Sequence, residues 1–154
     1  MSARILQAQI EIDKPLDAVF SYISNLKNLP FWGEVDGVET EGEGEHIVYT
    51  AFNKNLLSVT KIPLQITNVQ RPNVFAFQDL KNFASFTYEL EELPEGGTKV
   101  GVTYELDAGV SFTILNFGGA MQGRLEHLLK NLKRRVESQR GVDTSLDDEK
   151  PENV

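Results

Sequence analysis

Residues 86–106 read Phe86-Thr87-Tyr88-Glu89-Leu90-Glu91-Glu92-Leu93-Pro94-Glu95-Gly96-Gly97-Thr98-Lys99-Val100-Gly101-Val102-Thr103-Tyr104-Glu105-Leu106, and this stretch decides the fold. Apolar side chains take every second position: Phe86, Tyr88 and Leu90 before the turn at residues 94–97, then Val100, Val102, Tyr104 and Leu106 after it. Period two with one polar face specifies half-buried strands, and a Gly-rich turn between two such runs specifies an antiparallel hairpin. From Thr113 the period becomes 3.6, with Ile114, Phe117, Met121, Leu125, Leu128, Leu129, Leu132 and Val136 on one stripe. That pattern predicts a long amphipathic helix whose apolar side needs a sheet to cover.

Upstream, weaker alternation supplies the rest of the sheet. Leu6, Ala8, Ile10 and Ile12 alternate with Gln7, Gln9 and Glu11 and predict a first strand. Asp13-Lys14-Pro15 then opens a helix carrying Leu16, Val19, Phe20 and Ile23, which Ser24-Asn25 closes. Residues 26–32 predict a second short helical turn that Pro30 ends. Residues 35–47, rich in Gly and Glu, predict weak edge strands with a turn at Gly42-Glu43-Gly44. Ile47, Tyr49 and Ala51 alternate up to a turn expected at Asn53-Lys54-Asn55. A further run begins with Leu57 and Val59 and changes phase to Ile62, Leu64 and Ile66 around Pro63, which predicts an edge position or a bulge there. Turns at residues 71–73 and 79–82 enclose one more strand, residues 74–78. The expected fold class is therefore α+β: about six to seven antiparallel strands, two short helices after the first, and a long C-terminal helix.

With 154 residues the chain can build one good core. A domain is expected over residues 1–140, followed by an acidic disordered tail over 141–154. That tail holds Asp143, Asp147, Asp148, Glu149 and Glu152 against Lys150, supplying half of the net charge of −8. Such a balance argues against nucleic acid as a partner, since phosphate backbones are held by Lys and Arg. No apolar run approaches the ~20 residues of a membrane span, so integral membrane association is not expected. Cysteine is absent, which removes disulfides and thiolate chemistry. The N-terminus shows no signal-peptide pattern, and a cytoplasmic protein is expected.

Motifs for chemistry are sparse. His46 and His127 are far apart without ligand-spaced partners, no Gly-x-Ser-x-Gly elbow occurs, and Glu41, Glu43 and Glu45 around Gly42 and Gly44 would repel phosphate. No cofactor or metal is expected. Glu34, Asp36 and Glu39 read as solubilising acids, with a carboxylate at a cavity mouth as the alternative; Lys130, Lys133, Arg134, Arg135 and Arg140 suit the negative end of a helix dipole. Gly118-Gly119 interrupts the helical stripe near its start.

Several segments carry a family resemblance. Ile10-Glu11-Ile12-Asp13-Lys14-Pro15-Leu16-Asp17-Ala18-Val19-Phe20 resembles the opening of the START-like, or SRPBCC, superfamily. Asn25-Leu26-Lys27-Asn28-Leu29-Pro30-Phe31-Trp32 resembles its second-helix signature, Gly96-Gly97-Thr98-Lys99-Val100 the start of its last strand, and Leu129, Leu132, Lys133, Val136 and Glu137 its closing helix. The likeness covers about residues 3 to 138 and is nearest to the polyketide cyclase/dehydrase-like branch. It implies a helix-grip fold with a cavity between sheet and long helix, able to hold an apolar molecule.

If the even face of the last hairpin turns inward, Phe86, Tyr88, Val102 and Tyr104 meet Phe117 and Met121 in that cavity. Tyr49, Leu64, Phe75, Phe77 and Phe112 are the expected neighbours, and Trp32 stands near the entrance or packs under the sheet rim. The first expectation is a binding module for a small hydrophobic or amphipathic molecule, lipid or polyketide-like, oriented by Tyr88 or Tyr104. The alternatives are a cyclase or dehydratase, and a cochaperone-like module with a protein partner.

Overall fold

The computed structural model describes residues 4–44, 47–106 and 120–138. Seven antiparallel strands form one sheet in the order β1-β7-β6-β5-β4-β3-β2. They are β1 (Arg4–Ile12), β2 (Gly37–Glu41), β3 (Val48–Lys54), β4 (Val59–Gln70), β5 (Val74–Asp79), β6 (Ala84–Glu92) and β7 (Thr98–Leu106). Between β1 and β2 the chain crosses from one edge of the sheet to the other through α1 (Leu16–Ile23), a 3₁₀ turn (Leu26–Asn28) and α2 (Leu29–Trp32). The long helix, α3 (Ala120–Glu137), packs along β1 and against α2.

The alternation in residues 86–106 is realised as read. Phe86 lies opposite Tyr104, Tyr88 opposite Val102 and Leu90 opposite Val100, and that face is buried while Glu89, Glu91 and Glu105 point outward. From α3, Leu125, Leu129, Leu132 and Val136 descend onto it and are fully buried. Val19, Phe20 and Ile23 of α1 close the same core. The turn before β7 explains its two glycines: Gly96 has φ +102°, and a Cβ at Gly97 would stand 2.8 Å from the Ile12 carbonyl oxygen. Beside it, the buried Thr98 donates from Oγ1 to the Lys14 carbonyl at 2.8 Å, pinning the β1–α1 corner.

Three local readings change or narrow. Pro30 stands in the first turn of α2 and does not end it, because a proline's missing N–H falls there on a donor that would be unbonded in any case. Pro63 makes no bulge: the register shift in β4 comes later, between Ile66 and Asn68. The Pro63 carbonyl faces the end of β5 and accepts from Leu80 N, and β5 pairing starts only at Leu64, so the missing donor meets no ladder. The turn expected at residues 53–55 sits at 55–58, since Asn55 Oδ1 accepts from Leu57 N, Ser58 N and Ser58 Oγ and so takes Leu57 out of the strand. The expected tail, residues 107–119 with Phe112, Phe117 and Gly118-Gly119, and His46 lie outside the described residues.

At its far end α3 is tied to β1 through charge. Lys133 Nζ donates to the Glu11 carbonyl at 2.7 Å and to Glu137 Oε2 at 2.8 Å, and the same carboxylate oxygen accepts from the Asp13 N–H at 2.8 Å. Burial alone would push the Glu137 carboxyl up, but these two hydrogen bonds, with the charges of Lys133 and Lys14, outweigh it and hold the group below its ordinary value. The unfolded chain therefore binds this proton more tightly. The stabilisation is complete above the ordinary carboxylate range and is lost as the pH falls through the lowered value. Glu137→Gln should cost up to about 1 kcal/mol near neutral pH and less in acid, measured by urea unfolding at both; an equal loss at the two pH values would contradict the linkage.

Candidate functional site

A cavity of about 110 Å³ opens where α3 no longer covers the sheet. Its floor is the inner face of β3 to β6, contributing Ala51, Ile62, Leu64, Phe77, Asp79, Phe86 and Tyr88. Its roof comes from Leu29 and Trp32 of α2, from Gly33 and Val35 after it, and from Met121, Arg124 and Leu128 on α3. The apolar positions follow from local pattern: Ile62 and Leu64 share a face of β4, while Met121, Arg124 and Leu128 recur at helical spacing.

Six of the expected lining residues meet here: Trp32, Leu64, Phe77, Phe86, Tyr88 and Met121. Four others share the inner face but not the wall. Phe75 is fully buried beneath Phe77, with ring centroids 6.0 Å apart, and Val102 is packed in the core. Tyr104 sits behind Phe86 at 5.2 Å, and Tyr49 is half-buried along a separate open groove at Ile47, Val48 and Ile66. The rest of the wall, Leu29, Gly33, Val35, Ala51, Ile62, Asp79, Arg124 and Leu128, was not among the expected lining residues. A helical wheel could have found Arg124, one turn below Leu128, whereas loop residues such as Gly33 and Val35 carry no periodic signal.

The aromatic side chains form one connected surface. Phe77 stacks on Phe86 at 5.1 Å and on Tyr88 at 6.3 Å, and Trp32 meets Tyr88 edge to face at 5.9 Å. Within this surface stand two polar groups. Among the described residues the buried Trp32 Nε1 has no hydrogen-bond partner. Tyr88 lines the same wall; among the described residues no side-chain hydrogen bond engages its hydroxyl, and burial pushes its phenol far above the ordinary value, so it stays a neutral donor throughout the physiological range.

Charged groups stand at the edge. Burial raises the Tyr104 phenol, the Asp79 charge raises it further, and the Arg124 charge opposes both. Asp79 is occupied by its own turn, accepting from Lys81 N, Asn82 N and Asn82 Nδ2. Glu34, in the left-handed region at φ +62°, reaches across the rim to Arg124 at 3.5 Å and His127 at 3.2 Å. It thereby joins the loop after α2 to α3. Asp36 accepts from Lys54 N at the β3–β4 hairpin, and Glu39 is an exposed β2 residue. Of the basic cluster on α3, Arg135 covers the Phe31 ring at 4.7 Å and Arg134 donates to Asn131.

A curved antiparallel sheet holding a long helix, with an aromatic cavity beside it, defines a helix-grip protein of the SRPBCC type. The model of the family described as polyketide cyclase/dehydrase and lipid transport matches residues 4–137, and the chain belongs to that family. Solved structures share the fold at low identity. The solution structure of KanY protein is 16% identical with a TM-score of 0.65, covering 90% of this chain and 100% of that one. Ara h 8.0201 is 14% identical with a TM-score of 0.66 over 90% and 100% of the two chains. The Zhui aromatase/cyclase from Streptomyces is 14% identical with a TM-score of 0.63 over 92% and 100%. No curated protein matches the chain by sequence.

A hydroxyl that faces an apolar cavity with no partner among the described residues adds little to stability, and a phenyl ring of the same shape keeps its packing. Tyr88→Phe should thus leave the melting temperature of the ligand-free protein unchanged or raise it by up to about 2–4 °C, a gain of up to about 1 kcal/mol. A fall in melting temperature in calorimetry would show that the hydroxyl is already satisfied.

Proposed function

We propose that this protein binds a small, largely apolar molecule carrying a hydrogen-bonding oxygen, seated against Phe77 and Phe86 with its oxygen at the Tyr88 hydroxyl. The observation that carries this reading is the Tyr88 phenol, held neutral by burial in the wall of an aromatic cavity, with no side-chain hydrogen bond to it among the described residues. A buried polar group that adds little to the core is a mark of a binding site. Family membership supports it, since the family's description includes lipid transport.

Cavity size sharpens the ligand class. Drug-sized ligands occupy sites of about 300–1,000 Å³, and a dry cavity near 150 Å³ is enough for benzene. At about 110 Å³ the unliganded site is smaller than that, so it takes a short chain as it stands, and a ring or a longer lipid requires α2 and α3 to part. Glu34, bridging those two elements through Arg124 and His127, is the contact such an opening would break.

Binding is favoured over turnover. A cyclase or dehydratase needs a proton acceptor facing the bound chain, and the carboxylate in this wall, Asp79, is engaged by three hydrogen bonds within its turn. Tyr88 can donate a proton's hydrogen bond but, with its phenol raised, it is no base.

Trp32 provides the readout, being the single tryptophan and part of the wall. Acetophenone, one ring with one carbonyl, should quench its emission saturably. Tyr88→Phe should weaken that binding by about fivefold to tenfold, the worth of one hydrogen bond near 1 kcal/mol. Absence of saturation in the native protein would reject the cavity as a binding site, and equal affinity in the variant would reject Tyr88 as its anchor.

A further inference from the structure

The β3–β4 hairpin ends in an apolar pair with no place in the core. Leu56 is 98% exposed and Leu57 94% exposed, with Val59 also exposed beside them. Leaving two adjacent leucines in water forfeits burial that either could gain in a core. Their exposure is built in, because Asn55 Oδ1 accepts from Leu57 N, Ser58 N and Ser58 Oγ while Asn55 N donates to the Ser58 carbonyl. The turn is thus closed upon itself, and the leucines are left at its crest.

The hairpin also projects. Residues 59–63 of β4 pair with β3 alone, since pairing with β5 starts at Leu64. Five strand residues at ~3.3 Å each carry the crest about 17 Å past the end of the β5 ladder. Two lysines stand behind it: the register pairs Lys61 with Phe52 and Lys54 with Val59, which places both on one face of the ribbon. Lys54 Nζ lies over the Phe52 ring at 5.6 Å.

We infer that this hairpin tip is a docking element for a lipid membrane surface, with Leu56 and Leu57 entering the interface and Lys54 and Lys61 facing lipid phosphates. The shape decides between occupants. Two protruding side chains cannot supply the ~800 Å² per partner of a stable protein interface, but they suit shallow insertion below a cationic collar. The inference is independent of what the cavity holds.

Flotation of the full chain with vesicles tests it, comparing phosphatidylcholine alone with phosphatidylcholine mixed with phosphatidylserine. The native protein should float with both, and better with the anionic mixture by about fivefold for each lysine engaged. Leu56→Ser combined with Leu57→Ser should lower partitioning roughly tenfold or more on both vesicle types. Lys54→Gln combined with Lys61→Gln should abolish only the preference for phosphatidylserine. These positions lie outside the core, so unchanged circular dichroism and melting should accompany each variant. The inference fails if the native protein stays in the buffer, or if the serine variant floats as well as the native chain. It also fails if the leucines instead drive dimerisation without vesicles.

Discussion

One helix cannot cover seven strands. A helix with its side chains is ~10 Å across, whereas seven strands spaced ~4.8 Å apart span about 29 Å, so α3 can shelter only two or three of them. Leu125, Leu129, Leu132 and Val136 spend its apolar stripe near β1, and the sheet's other inner half must be closed by something else. The crossing segment from β1 to β2 does much of this by laying α1 against β6 and α2 against β2. What neither that segment nor α3 fills is the cavity, which is why its wall mixes residues from β3 to β6, α2 and α3.

Stability and binding then pull on the same residues. In the core half Thr98 donates to the Lys14 carbonyl and Asn28 to the Tyr22 carbonyl, and at its edge Glu137 collects two donors. In the cavity wall the buried Trp32 Nε1 has no partner among the described residues. Native interiors rarely tolerate such groups without a use for them. Closure of the rim depends on the exposed ion pairs of Glu34, whose left-handed backbone works against them. Exposed pairs contribute little, so the roof is held more weakly than the core beside it.

Periodicity made the fold legible and the site only partly so. Alternation assigns a residue to a face of its strand, and Phe86, Tyr88, Val102 and Tyr104 share one face of the last hairpin. It carries no information on how far along a curved sheet each one lies. Phe77 therefore meets the cavity while Phe75, on the same strand and face, is entombed. A turn was misplaced where a side chain overrides backbone propensity, as Asn55 does for Leu57, whereas at Pro63, read as an edge position or a bulge, the edge alternative holds, since β5 does not pair there. Gly33 and Val35 reach the wall through a loop, and no sequence period announces a loop.

Charge gives the projecting hairpin its physical sense. A chain of net charge −8 is repelled by an anionic bilayer, and a compact body of that charge would approach one poorly. Screening changes this over ~8 Å at physiological ionic strength. A crest standing about 17 Å beyond the β5 ladder can therefore touch headgroups while much of the body stays more than one screening length away, although Asp36, which accepts from Lys54 N, stands at the hairpin's base. Lys54 and Lys61 lie within that reach, on strands whose inner residues Ala51, Ile62 and Leu64 form the cavity floor. The same two strands thus carry both the surface suited to a membrane and one wall of the site suited to an apolar guest, so the guest's path between them is short.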